Sequence, residues 1–282
     1  GIRDRSLSRG LGDVYKRQLI IAVVFVISEL VCVVCVPERP VACDEKPGKI
    51  SDMFKALFKN DQAMTVVVSI ILVYTSLNIC GNLVLYFFRF DVGNEGAYSI
   101  FAAVAFAAQV LVMMVIPLLR KRFSKSQLFI SGFIIQIAGF AVILIMAFAK
   151  LYTPQSWYIL CLPGILIYLG YGMLNVIMTI FLSDSVDYGE VMNGTREESV
   201  IFSMQTFTVK LASGVAVFLA GLVVDWIHLD TAAAVQTQDT LDALRMWMTI
   251  PSVILLIVGI FVFKRFYKLD DTRMEEIKSK LN

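Results

Sequence analysis

The chain has 282 residues, 58% of them hydrophobic, and a formal net charge of +2; a soluble domain carries roughly 45–50% apolar residues. A mean hydropathy of +0.75 excludes an ordinary soluble globule, and so small a net charge gives no reason to expect a nucleic-acid partner. The apolar residues come in blocks of about 20, the length that crosses a ~30 Å hydrocarbon layer as a helix. Lipid offers no backbone hydrogen-bond partners, so the expected fold class is an all-α polytopic membrane protein.

Residues 1–18, GIRDRSLSRGLGDVYKRQ, hold five Lys or Arg, no initiator methionine and no apolar signal-peptide core. They read either as an outside basic loop of a longer protein or, preferably, as sequence foreign to it. Either way an N-terminal truncation is expected. Seven spans follow, at about 19–36, 63–88, 97–118, 127–149, 157–183, 203–227 and 244–264. Pro37 and Pro40 end the first. Segment 37–62 is a polar linker whose short amphipathic piece, Met53 to Phe58, is expected at the membrane surface.

Lys and Arg sort by side. Loops 37–62, 119–126 and 184–202 and the tail 264–282 carry sixteen; the other side has Arg89, Lys150 and Arg245. The positive-inside rule makes the first side cytoplasmic, with the C-terminus inside and 228–243 outside. A multi-pass protein of the cytoplasmic membrane is expected, with the bilayer as its solvent. Trp157, Trp226 and Trp247 fall near outer span ends, where aromatic belts form. Six helices after a long cytoplasmic linker are the plan of a major facilitator half built from 3+3 inverted repeats. On that plan 19–36 is the last helix of a first half, 37–62 the central linker, 63–264 the C-terminal bundle and 265–282 a cytoplasmic tail.

A metal centre or membrane-embedded enzyme would need clustered ligands or acid–base residues, and one histidine, His228, with five scattered cysteines does not supply them. Cys32 and Cys35 form a C-x-x-C inside a span, where packing is the expected role. No catalytic residues and no metal are expected.

Lys210 sits inside the apolar run Phe202 to Trp226. Ionisable residues at membrane depth are costly and face a cavity or a partner; the alternative is a stem that snorkels to the inner surface. Thr206, Lys210 and Ser213 or Gly214 share one stripe, and Ala212, Ala216 and Ala220 form a small-residue stripe suited to close packing. Asn78 and Asn82 lie one turn apart on the second span, with Thr75 on the same side. Gln109, Gln136 and Asn175 lie on the third, fourth and fifth. Such side chains line sugar cavities or make interhelical hydrogen bonds; Asn78, Asn82 and Asn175 are the cavity candidates. Gly170 and Gly172 suit close packing or a bend.

The loop after the fifth span holds Asp184 and Asp187 on one helix face and Arg196 as its only base among five acids. Asp187 to Glu190 are expected to leave the helix, and the Arg196 fork to tie the fifth span to the sixth. The charges alone also fit a solvated acidic loop.

The run DSVDYGE, then GTREES and FSMQTFTVK, resembles the signature of the glycoside–pentoside–hexuronide:cation symporters, the melibiose-permease-like branch of the major facilitator superfamily. LFKNDQ and FVFKRFYKLDDTRMEEI fit the same pattern, and the resemblance covers about residues 19–282 as a C-terminal half. It implies alternating-access sugar:cation symport, with a sugar and Na⁺ or H⁺ as partners and no cofactor. By position, Lys210 matches a lysine near the sugar that is tied to cation coupling, and Gln205, Thr206 and Val209 match cavity neighbours. Asp184, Asp187 and Arg196 match a charge network that closes the inner gate. Where the family places a sugar-stacking tryptophan on the tenth helix this chain has Asn175, which puts a galactoside-type contact in doubt. The family's cation-binding carboxylates lie on the other half. The competing reading is a non-transporting sugar receptor or assembly subunit on the same fold; a solitary seven-helix protein that pairs as a half-transporter is a third.

Overall fold

The computed structural model describes residues 2–35, 58–194, 198–233 and 235–281. The described residues hold no strand, and seven helices are long and apolar enough to cross a membrane. The chain is a multi-pass membrane protein. Residues 1–48 and 49–282 form two separate units. The first contains α1 (Ile2–Cys35), whose window Gln18–Cys35 is apolar and exposed along its length.

The second unit is a bundle of six spans. These are α2 (Asp61–Tyr86), continued by a π turn (Phe87–Asp91); α3 (Ala97–Leu119); α4 (Lys125–Phe148); α5 (Cys161–Asn193), led in by a 3₁₀ turn; α6 (Glu198–Trp226); and α7 (Gln238–Phe266). A seventh helix, α8 (Asp271–Leu281), closes the chain. Helix α2 packs on α6 and α7, α5 packs on α3 and α4, and α2 meets α5 at the centre. The ends of α2 and α7 face each other at the basic end of the bundle, where Gln62 accepts from the Lys268 N–H at 2.8 Å.

Small residues set the close crossings. A Cβ on Gly170 would lie 2.6 Å from the Gln136 amide nitrogen and from the Gly132 carbonyl oxygen, and one on Gly139 would lie 2.7 Å from the Ile167 nitrogen. Two residues on, a Cβ on Gly172 would lie 2.6 Å from Val112 Cγ1. Gly170 therefore seats α4 and Gly172 seats α3 on opposite faces of α5, so packing is what the YLGYG pair does here. On α6, Ala212, Ala216 and Ala220 are all buried, as the small-residue stripe requires. Ser76 and Ser252 each donate to the other's carbonyl, at 3.1 and 2.8 Å, zipping α2 to α7 in their buried middle.

Three boundaries differ from the sequence reading. Helix α5 does not end near residue 183; it runs to Asn193 and stops at Gly194, whose φ of 74° is the left-handed C-cap that glycine accepts. Asp187, Tyr188, Gly189 and Glu190 are thus helical, not loop. Ser185 bonds back to the Phe181 carbonyl at 2.8 Å. Gly189 leaves space for Asn60, which caps α2 through the Ala63 N–H and donates to the Ser185 carbonyl at 2.7 Å. Helix α7 begins at Gln238, inside the segment read as an outer loop, because Thr237 caps it. The tail folds as α8, and Leu269 just before it, with Met274 and Ile277 on it, buries against Tyr188, Val191 and Tyr267. The Met53–Phe58 piece lies outside the described residues apart from Phe58, and Arg196 lies outside them altogether.

Candidate functional site

Tyr74, Asn78, Asn82 and Tyr86 recur every four residues on α2 and form one half-buried stripe. Asn78 Nδ2 donates to the Tyr74 carbonyl and Asn82 Nδ2 to the Asn78 carbonyl, both at 2.7 Å. Each amide thus commits one N–H to its own helix and keeps its side-chain carbonyl oxygen for another donor. From α5, Asn175 Nδ2 donates to the Tyr74 hydroxyl at 2.6 Å. The Tyr74 ring meets Tyr171 edge-on at 5.5 Å, and Tyr171 meets Tyr168 at 6.5 Å. The result is a wall of amides and phenol rings across the α2–α5 contact, amphipathic in the way that a ligand bearing both C–H faces and hydroxyls needs. Asn82 and Tyr86 also line a cavity of about 340 Å³ with Val217, Ala220, Gly221, Val224 and Asp225 of α6.

The α6 candidates are placed differently. Gln205 and Val209 are half-buried, Val209 against the core, while Thr206 and Lys210 are exposed. Thr206 donates to the Phe202 carbonyl at 3.3 Å. Among the described residues Lys210 has no hydrogen bond or ion pair, and none joins Gln205, Thr206 or Lys210 to the α2–α5 wall. Lys210 lies twelve residues into a 29-residue helix, ~18 Å along its axis, a long way for a four-carbon stem to snorkel. The structure brings Asn175 and Asn78 to Tyr74 and sets Asn82 one turn further along the same stripe, while Thr206 and Lys210 stay exposed on α6.

At the basic end Asp184 is buried in an ion pair with Lys125, the first residue of α4 and itself buried. Lys125 Nζ lies 3.4 Å from Asp271 Oδ1 on α8, and Arg120 Nη2 lies 3.3 Å from the same oxygen. Burial would raise the Asp271 carboxyl, but Lys125 and then Arg120 hold it below its ordinary value. Burial first, then the carboxylates of Asp184, Asp271 and Asp270, push the Tyr267 hydroxyl far above its usual range. Asp187 is half-buried one turn beyond Asp184.

A second charge cluster closes the opposite end. Buried Arg245 donates to Asp242 Oδ1 at 2.6 Å and, through a two-pronged contact, to Asp91. Tyr152 donates to Asp91 Oδ2 at 2.6 Å; its hydroxyl is held well above the usual range by burial and by Asp91. The π turn places Asp91 here, adding one residue to the last turn of α2.

Tyr74, Tyr168 and Tyr171 are the site residues that composition hides, since aromatic excess in a membrane protein reads as lipid-facing. The four-residue recurrence of Tyr and Asn along α2 is the signal that finds Tyr74. Lys125, Arg120 and Asp271 count in the sequence only as loop and tail charges, and nothing local pairs them.

The second unit is thus a six-span helical bundle with a polar wall across the α2–α5 contact. Residues 17–271 match the family model described as MFS/sugar transport protein, and the chain belongs to that family. It is 25% identical over 233 residues to the uncharacterized symporter YjmB of Bacillus subtilis, covering 83% of this chain and 49% of the relative. It is 23% identical over 234 residues to a raffinose carrier protein of Pediococcus pentosaceus (82% and 35%), and 24% identical over 255 residues to an isoprimeverose transporter of Lactiplantibacillus pentosus (89% and 51%). The chain thus spans about half the length of these relatives, or less.

Proposed function

We propose that the six spans Asp61–Phe266 form one bundle of a sugar:cation symporter, a transporter rather than an enzyme, working by alternating access against a second bundle. The observation that carries this reading is the Tyr74–Asn175–Tyr171 wall with Asn78 and Asn82 beside it, in a family whose relatives are named for sugars. Tyr171 lies one turn before Asn175, so a phenol ring stands close to where the family's tryptophan is replaced; it offers a stacking face, and the amides offer donors and acceptors for hydroxyls. The substrate class is a glycoside, pentoside or hexuronide, and the coupling ion is Na⁺ or H⁺. Lys210, with Gln205, Thr206 and Val209, faces the sugar from α6 and communicates with the cation site. The Lys/Arg-rich end is cytoplasmic, in the cytoplasmic membrane, with the C-terminus inside. There Asp184, Asp187 and Arg196, joined by Lys125, serve the inner gate.

Membrane vesicles carrying these spans together with a second six-span bundle from a family member should exchange raffinose or isoprimeverose by counterflow and accumulate one of them when a Na⁺ or proton gradient is imposed. Lys210→Ala should abolish uphill accumulation. Sugar binding without exchange would point instead to a receptor, and undiminished uphill uptake by Lys210→Ala would remove the lysine from coupling.

A further inference from the structure

At the basic end, the seam between α2 and α7 opens into a groove of about 420 Å³ on the bundle surface. Its walls are apolar: Met64 and Val68, one turn apart on α2, face Val262 and Phe266, one turn apart on α7, and Phe58 stands at the mouth. Cations gather at the same mouth. Lys268 lines it, its side chain 60% exposed and 3.8 Å from Asp61. Arg265 lies with its guanidinium 5.6 Å from the Phe266 ring centre. Lys264 and Lys59 are exposed as well, outside the residues that line the groove. Asp61 is the carboxylate lining the groove, and Lys268 partly offsets it.

We propose that this groove binds one anionic phospholipid, with an acyl chain along the Met64–Val68 and Val262–Phe266 walls and the phosphate at Lys268 and Arg265. The charge complementarity is specific to the mouth. Lys268 and Arg265 together outweigh Asp61 there, at the depth where α7 leaves its apolar stretch and where basic pockets between spans meet acidic headgroups. The apolar walls select a lipid over a free phosphate, because a soluble anion would leave them in contact with lipid tails or water. A lipid held here bridges the first turn of α2 and the last turn of α7, the two ends that Gln62 already joins.

The test uses the full chain in vesicles of equal phosphatidylcholine and phosphatidylglycerol, re-extracted in mild detergent, with retained lipid counted by native mass spectrometry. Phosphatidylglycerol should be retained over phosphatidylcholine. Lys268→Gln with Arg265→Gln should lower that retention about fivefold per cation removed. Lys121→Gln with Arg122→Gln, exposed cations at the same end, should leave it unchanged. Val262→Trp, which fills the groove without changing charge, should also lower retention, and glycerol 3-phosphate should not displace the lipid. Equal losses from the two charge pairs would reduce the site to general surface attraction and overturn the proposal. So would displacement by glycerol 3-phosphate, or full retention by the properly folded Val262→Trp variant.

Discussion

Lys125 and Asp184 are both buried, and each is the other's main counter-charge. Taking two charges out of water is costly, and the pair persists because each offsets the other; a partner left alone is what destabilises. Asp184→Ala should therefore lower stability by about 3–5 kcal/mol, read as a fall in the thermal unfolding midpoint in detergent. Asp184→Leu combined with Lys125→Met should recover most of that loss. An unchanged midpoint in the single variant would mean that water reaches Lys125. Asp184 and Asp187 are legible in the sequence as a charged pair on one helix face. The partner of Asp184 is not, because Lys125 lies 59 residues away and its count among loop cations carries no pairing information. Lys210 is the reverse case: its type and place in an apolar run mark it at once, and its position on α6 is what hydropathy alone indicates.

Between elements, the glycines divide into those that a side chain would displace and those that it would not. A methyl at Gly170 meets the α4 backbone at 2.6 Å on two sides, while Gly214 and Gly221 of α6 have nothing within 4 Å. Gly170→Ala should separate α4 from α5 and destabilise by roughly 1–3 kcal/mol, as overpacking does. Gly214→Ala or Gly221→Ala should be neutral or raise stability by up to ~1 kcal/mol, the helix-propensity gain. Melting all three variants side by side checks this, and a Gly170→Ala midpoint at or above the parent's would show that the crossing can relax. The spans themselves are read correctly from hydropathy, and the buried face of α6 from its alanines, since both signals are local. The true end of α5 escapes that reading because DSVDYGE is polar and looks like a loop. What holds it helical is tertiary: Asn60, from a segment 125 residues earlier, bonds the Ser185 carbonyl, and α8 covers Tyr188 and Val191.

Across the whole molecule, α8 is fastened to the bundle by one apolar seam and by the Asp271 contacts to Lys125 and Arg120. The Asp271 carboxyl is lowered from an ordinary value of 3.8. A depressed acid contributes its stability above the unfolded-state value and loses it as pH falls through the folded-state value. Hydrogen-exchange protection of the 271–281 amides, corrected for intrinsic rates, should thus be steady from neutral pH down to about 4 and should drop below it. Asp271→Asn should show reduced protection at neutral pH and no further acid-linked drop. Protection that stays level through the acid range in the parent would assign the docking to Leu269, Met274 and Ile277 alone.

Helix α5 has 33 residues, ~50 Å of axis, against a hydrocarbon layer of ~30 Å. Its last turns therefore stand clear of the lipid as a post, with α8 resting on it. Asn175, hydrogen-bonded into the α2–α5 wall, lies 18 residues from that tip, or ~27 Å of rigid rod. The helix is thus a lever arm: a tilt of about 10° at Asn175 swings Asn193 by about 5 Å. A slight change of fit around a bound molecule would arrive at the tail magnified into a displacement the size of a side chain.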